Sequence, residues 1–424
     1  MYLKGSQLNL NKKHRRRKSN VYRIFVLVIF IALIVVLNET VVEETGPLFI
    51  PTTTPTRQPE SFISEAMQTL EEGKLAQSIP LLEQAIHSDP ENPSTYILLA
   101  RVQVFIGDYE SAIQNTEDAL LLSENNAMAY AVRGWAQGLA GSYLEGEASI
   151  QEAISIDPNN GMAYAFLGEI LTYQLMQGQG GINTLDEAVD ASRNAVALAP
   201  NTLETYRTRG LILEYTGNYD EAIYNYQQAI LINENIADIH IALGRVYYAI
   251  GDYANATEEY NRANTLNPSD PLPDFYISRA YATTGDYTNA IQYANLAVKD
   301  APTDPILQAN LGMMYYRQKD YASAIPPLRL ALRGGATEDG SPVEPIPLDY
   351  GNPAEYFYIY GLALARSGQC GEALQISQSL QQVVPNDEIA MYNAGEMIVI
   401  CEEIAEGIPQ LTPTPAEDGM DDEG

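Results

Sequence analysis

GLILEYTGNYDEAIYNYQQA, residues 210–229, and GRVYYAIGDYANATEEYNRA, residues 244–263, decide the fold of this chain. Laid over one another they match at Gly210 and Gly244, at Gly217-Asn218-Tyr219 and Gly251-Asp252-Tyr253, at Ala222 and Ala256, at Tyr226 and Tyr260, and at Ala229 and Ala263. Each copy has two apolar stripes at helical spacing, divided by a Gly-Asn/Asp-Tyr turn. Glycine after the first stripe supplies the left-handed conformation that closes a helix C-terminus. The small residues, Gly210 with Ala222 and Gly244 with Ala256, leave no bulk where the two helices must meet. Pro268 then ends the second helix.

The pattern recurs about every 34 residues from Glu60 to Asp387, nine times in register. Turn glycines stand at Gly73, Gly107, Gly141, Gly285 and Gly368, and Tyr109, Tyr143, Tyr287 and Tyr321 fill space beside the small residues. In these residues the chain resembles the tetratricopeptide repeat family. The resemblance implies an all-α, right-handed superhelical solenoid of about nine helix-turn-helix units plus a C-terminal capping helix. Glu388 to Glu402, with Ile389, Tyr392, Met397 and Ile400, suits that cap. Two stretches break the period: Gln174 to Asn183 lengthens the turn of the fourth repeat, and Gly334 to Asn352 is a loop rich in Pro, Gly and acid. The Gly178-Gln179-Gly180-Gly181 run lacks the Lys-Ser/Thr and the preceding strand of a phosphate loop.

Charge is unevenly placed. The net charge is -31, yet the first 37 residues carry no acid and hold Lys12, Lys13, Arg15, Arg16, Arg17 and Lys18 in one run. Ile24 to Leu37 follows as unbroken apolar sequence. A nuclear-localisation or nucleic-acid patch would leave that apolar run unexplained, and no small-x-small site follows it for signal cleavage. The expectation is a single-pass anchor in the cell membrane, N-terminus cytoplasmic and repeats extracytoplasmic. The domain plan is then 1–20 basic segment, 21–37 transmembrane helix, 38–58 flexible Thr/Pro-rich stalk, 59–387 solenoid, 388–406 capping helix and 407–424 disordered acidic tail.

No catalytic constellation stands out. His14, His87 and His240 are scattered, and the acids lack metal-loop spacing. No enzyme activity, cofactor, metal or nucleic-acid partner is expected. Cys370 and Cys401 are the only cysteines. By the family's packing both lie on one side of the stack, which suits a disulfide; two buried thiols are the alternative.

By the same resemblance, the first helix of each repeat lines a concave face on which partner proteins dock. This places inward Arg101, Phe105, Trp135, Tyr173, Arg207, Leu211, Tyr215, Arg245, Tyr248, Phe275, Arg279, Tyr316, Arg317, Tyr358 and Arg366. Arg and Tyr are enriched at binding hot spots, and Arg pairs with carboxylates. The expected function is a tethered scaffold that grips an extended acidic segment or a C-terminal carboxylate. Against this, the arginines could pair with Glu169, Glu204, Glu214 and Asp238 of the groove itself. The acidic tail, Glu417 to Glu423, is a further candidate occupant. The alternative function is an envelope or secretion-type assembly component acting by self-association.

Overall fold

A computed structural model of the chain describes residues 20–37 and 57–407. Two units divide it, residues 1–57 and 58–424. The stalk and the acidic tail lie outside the described residues.

The first unit contains helix α1 (Val21–Leu37). Its 17 residues span about 26 Å at 1.5 Å per residue, short of the roughly 30 Å hydrocarbon core of a bilayer. Arg23 interrupts it, so the uninterrupted apolar run is shorter still. No helix among the described residues is long and apolar enough to cross a membrane. This overturns the single-pass anchor, and with it the cell-membrane location and the extracytoplasmic placement of the repeats, which rest on that segment.

The second unit is the solenoid. Nine helical hairpins follow one another among the described residues: α2 (Pro59–Glu71) with α3 (Leu75–Ser88), α4 (Pro93–Phe105) with α5 (Tyr109–Leu122), α6 (Ala127–Leu139) with α7 (Tyr143–Ile156), α8 (Gly161–Met176) with α9 (Thr184–Leu198), α10 (Leu203–Tyr215) with α11 (Tyr219–Ile232), α12 (Ala237–Ala249) with α13 (Tyr253–Leu266), α14 (Pro271–Thr283) with α15 (Tyr287–Asp300), α16 (Pro305–Arg317) with α17 (Tyr321–Arg333), and α18 (Asn352–Arg366) with α19 (Cys370–Val383). Helix α20 (Glu388–Ala405) packs on α18 and α19 and caps the stack.

The turn chemistry explains the hairpins. Gly217, at φ +76°, lets its own N–H reach the Glu214 carbonyl (3.1 Å) and the Asn218 N–H reach that of Leu213 (2.8 Å). Hairpin 8 departs from this rule. Lys319 holds the left-handed position at φ +69°, the one non-glycine to do so among the described residues. A side chain there costs about 1 kcal/mol or more. Lys319→Gly should therefore raise stability by about 1 kcal/mol, read from urea unfolding; an unchanged midpoint would reject the strain.

The two helices of a hairpin are buried differently. In hairpin 5, α10 buries eight of its 13 residues and α11 four of its 14. First helices are sandwiched between neighbours and the inside of the superhelix, whereas second helices keep one face in water. The helices of a hairpin approach closely where glycine meets a ring: a Cβ on Gly244 would lie 2.5 Å from the Tyr260 ring. Burial of the small and aromatic positions runs on from one hairpin to the next and ends under α20 at Met397.

Both departures from the period are built structure. In hairpin 4, α8 runs to 16 residues and residues 177–183 form the turn. After hairpin 8, strands β1 (Gly335–Ala336) and β2 (Pro342–Val343) pair antiparallel. Val343 is buried, and Ile346 donates its N–H to the Ala331 carbonyl (2.9 Å), laying the segment back on the core. Cys370 and Cys401 form a disulfide with Cα atoms 5.5 Å apart, tying α19 to the cap. His240 is buried; its ring nitrogens meet the Glu259 carboxylate (2.6 Å) and the Glu234 carbonyl (2.9 Å), a packing position away from the inner wall.

Candidate functional site: the inner wall

The superhelix turns back on itself within the N-terminal hairpins. Asn235, in the linker before α12, donates its side-chain N–H to the Glu71 carbonyl at the turn of hairpin 1 (3.1 Å). Gly73 is required there, because a Cβ would fall 1.9 Å from the Asn235 Cβ. One hairpin further along, Arg101 pairs with Glu204. Phe105 reaches the core of hairpins 5 and 6 beside Leu203 and Ile236.

This closure fills the inner wall of hairpins 2 to 6 from within. Trp135 is 0 % exposed, stacked on Phe166 (centroids 4.4 Å) with Phe105 edge-on (5.2 Å). Its indole N–H donates to Glu169 (3.1 Å). Arg207, 8 % exposed, lies between the Glu169 carboxylate (2.9 Å) and Asp238 (2.6 Å), with the Trp135 and Phe105 rings near its guanidinium. Burial pushes the Glu169 carboxyl up to about 7; Arg207 pulls it down and the Asp238 charge opposes that pull. Arg245 gives Nε to one Glu214 oxygen (2.8 Å) and a terminal nitrogen to the other (3.0 Å), and Tyr226 donates its hydroxyl to the same carboxylate (2.7 Å).

The arginines Arg101, Arg207 and Arg245 are thus spent on Glu204, on Glu169 with Asp238, and on Glu214. Leu211 is buried as well, and Phe275 of hairpin 7 is buried separately, beside Ala297 and Leu307. These residues do not present a free docking face. Their burial follows from the tightness of the superhelix. Tyr173 lines a crevice, and Tyr215, 40 % exposed, stands clear of it.

Hairpins 6 to 9 differ. Arg279, Arg317 and Arg366 are exposed, and none forms an ion pair among the described residues. Arg279 stands over the Phe275 ring (5.6 Å). Arg366 stands over Tyr321 (5.2 Å) and donates to its hydroxyl (2.9 Å). Arg279 and Arg317 line one hollow with Tyr248, Thr283, Asn310, Met313, Glu355 and Tyr356. The charge of Arg317 is felt at Tyr358, and that of Arg366 at Tyr316. Tyr248 bridges to Thr283 by its hydroxyl (2.9 Å). Of the expected Arg and Tyr residues of the C-terminal half, Tyr248, Arg279 and Arg317 thus share one hollow, and Arg366 lies against Tyr321.

A stack of helical hairpins presenting such a wall is a protein-interaction scaffold. Models described as tetratricopeptide or TPR repeat match residues 69–135, 210–251, 241–305 and 277–339, and over those residues the chain is similar to that family. The search of curated proteins returns no match. Among solved structures, the chain is similar to a tetratricopeptide repeat protein from Parabacteroides merdae (TM-score 0.44, 16 % identity, 64 % of this chain and 99 % of that one). It is likewise similar to yeast Tom70 (0.44, 14 %, 82 % and 89 %) and to Pseudomonas aeruginosa PilF (0.40, 18 %, 49 % and 91 %).

Proposed function

We propose that the chain is a non-catalytic scaffold that takes an extended segment of a partner protein along the inner wall of hairpins 6 to 9. The segment's carboxylates, side-chain or C-terminal, meet Arg279, Arg317 and Arg366. One observation carries this reading. In a chain so acidic, the three arginines of the N-terminal wall have carboxylates of their own, while these three have aromatic neighbours and no ion pair among the described residues. Guanidinium beside aromatic rings is hot-spot chemistry, and it matches carboxylates in geometry as well as charge.

The test is fluorescence anisotropy with a labelled hexaglutamate peptide on the full chain. Arg317→Glu combined with Arg366→Glu should weaken binding by tenfold or more and flatten its salt dependence. Arg193→Glu, on the solvated face of α9, should leave it unchanged. Equal losses from both would reduce the effect to net charge and sink the assignment.

Self-association is favoured by a different observation. Ile389, Tyr392 and Val399 form an exposed stripe along α20 (64, 69 and 47 % exposed), the face a further stacked element would cover. Light scattering separates this reading from the first, since only self-association raises the mass with concentration.

A further inference from the structure

A crevice of about 670 Å3 opens between the turns of hairpins 2 and 3 on one side and the Asn267–Leu272 linker on the other. It continues the seam at Asn235. There hairpin 1 touches the linker between hairpins 5 and 6; one hairpin further on, the corresponding surfaces part. The long turn of hairpin 4 borders the gap through Tyr173 and Gln177. That irregular element has no role in the arginine wall of hairpins 6 to 9.

We propose that this crevice is a second binding site, one that takes a lysine or arginine side chain from an extended segment of a partner protein. Five aromatic rings line it, Phe105, Tyr109, Tyr143, Tyr173 and Tyr276, and aromatic faces attract cations. Two carboxylates, Asp238 and Asp270, line it as well. Its guanidiniums are already neutralised: Arg207 by Glu169 and Asp238, Arg245 by both oxygens of Glu214. Even with Glu169 partly protonated near neutral pH, Asp238 and Glu214 match the two guanidiniums, and Asp270, which forms no ion pair among the described residues, is in excess. The excess negative charge is felt across the gap. Asp238 helps to raise Tyr109, Tyr173 and Asp270, in each case after the larger effect of burial. An anion would be repelled here, and a cation has both charge and π faces to meet. Ile106 and Leu272, 38 and 43 % exposed, give apolar surface for the methylene stem of such a side chain.

Asp270 permits a clean test. It caps α14 by accepting the Leu272 N–H (2.9 Å), and asparagine caps as well as aspartate, so Asp270→Asn removes the charge and keeps the helix start. The probe is a labelled peptide of alternating arginine and serine, titrated by anisotropy against the full chain. Asp270→Asn and Tyr143→Leu should each weaken binding by about fivefold. Glu117→Gln, on the outer face of α5, should change it less than twofold. Arg317→Glu with Arg366→Glu should not weaken this peptide, so failure here is distinguishable from failure of the arginine wall. An unchanged affinity in Asp270→Asn, or equal losses in Asp270→Asn and Glu117→Gln, overturns the proposal.

Discussion

Arg207→Ala is expected to lower the stability of the chain by about 3–5 kcal/mol, measured by urea unfolding near neutral pH. The side chain sits between two carboxylates and two aromatic rings. Removing it leaves Glu169 in a site with almost no water, against Asp238, with only the Trp135 N–H still directed at it. The loss is that of two ion pairs and of the packing on both rings, with Glu169 left to take up a proton; a surface pair such as Arg193 with Asp190 would cost under about 1 kcal/mol. The same site sets a pH dependence in the wild-type chain. The Glu169 carboxyl holds its proton up to about 7 in the native state, above the ordinary glutamate range. The folded state therefore binds more protons than the unfolded one between those values. Glu169 favours folding most below its ordinary range, and that contribution declines as pH rises through about 7. Asp274, pushed up to about 6 by burial and next by Asp300, acts in the same direction at lower pH. Glu169→Gln should flatten the slope between about pH 5 and 7. A slope unchanged in that variant would place the titration elsewhere.

The second large effect is steric. A Cβ on Gly134 of α6 would stand 2.4 Å from the Gly146 carbonyl oxygen and 2.6 Å from Ile150. One on Gly146 of α7 would stand 2.7 Å from the Gly134 oxygen and 2.8 Å from the Gly138 nitrogen. All but the Ile150 contact are to backbone, so no rotamer change relieves them, and the two helices must separate. Gly134→Ala should cost about 3 kcal/mol, even though alanine is the better helix former by about 1 kcal/mol. Gly395 of α20 is the control, because a Cβ there meets nothing within 4 Å. Gly395→Ala should stabilise by about 0.5–1 kcal/mol. Shifts of the same sign in both variants would refute the close-approach argument.

The hairpins were legible because their causes are local. Turn glycines, small residues at the contact and a proline or asparagine before each new helix repeat on one period. The inner wall was legible only as a set of inward positions. Whether an inward side chain is free depends on the superhelical pitch, which sums small rotations between successive hairpins. No single motif encodes that sum, so Trp135, Leu211 and Arg207 read as groove residues and are core. The four acids that could claim the groove arginines, Glu169, Glu204, Glu214 and Asp238, are the ones that do so in the N-terminal half. Asp270, Tyr109, Tyr143 and Tyr276 were missed as a group because they come from three hairpins and a linker. A spacing near five periods, as between Glu71 and Asn235, is the one signal that could have paired them. The membrane reading failed on length: α1 has the composition of a span but too few residues.

The bond from Asn235 to Glu71 changes how such an array comes apart. In an ordinary solenoid each unit leans only on its neighbours, so the ends fray one unit at a time. Here a bond across 164 residues makes the first hairpin a keystone for the sixth. With the Arg101–Glu204 pair beside it, this tie favours joint opening of hairpins 1 to 6, whose closing carries the entropy cost of a long loop. Hairpins 7 to 9, held at their far end by the Cys370–Cys401 bridge, lie outside that closure, so the proposed wall around Arg279, Arg317 and Arg366 falls on the part of the solenoid stacked only on its neighbours.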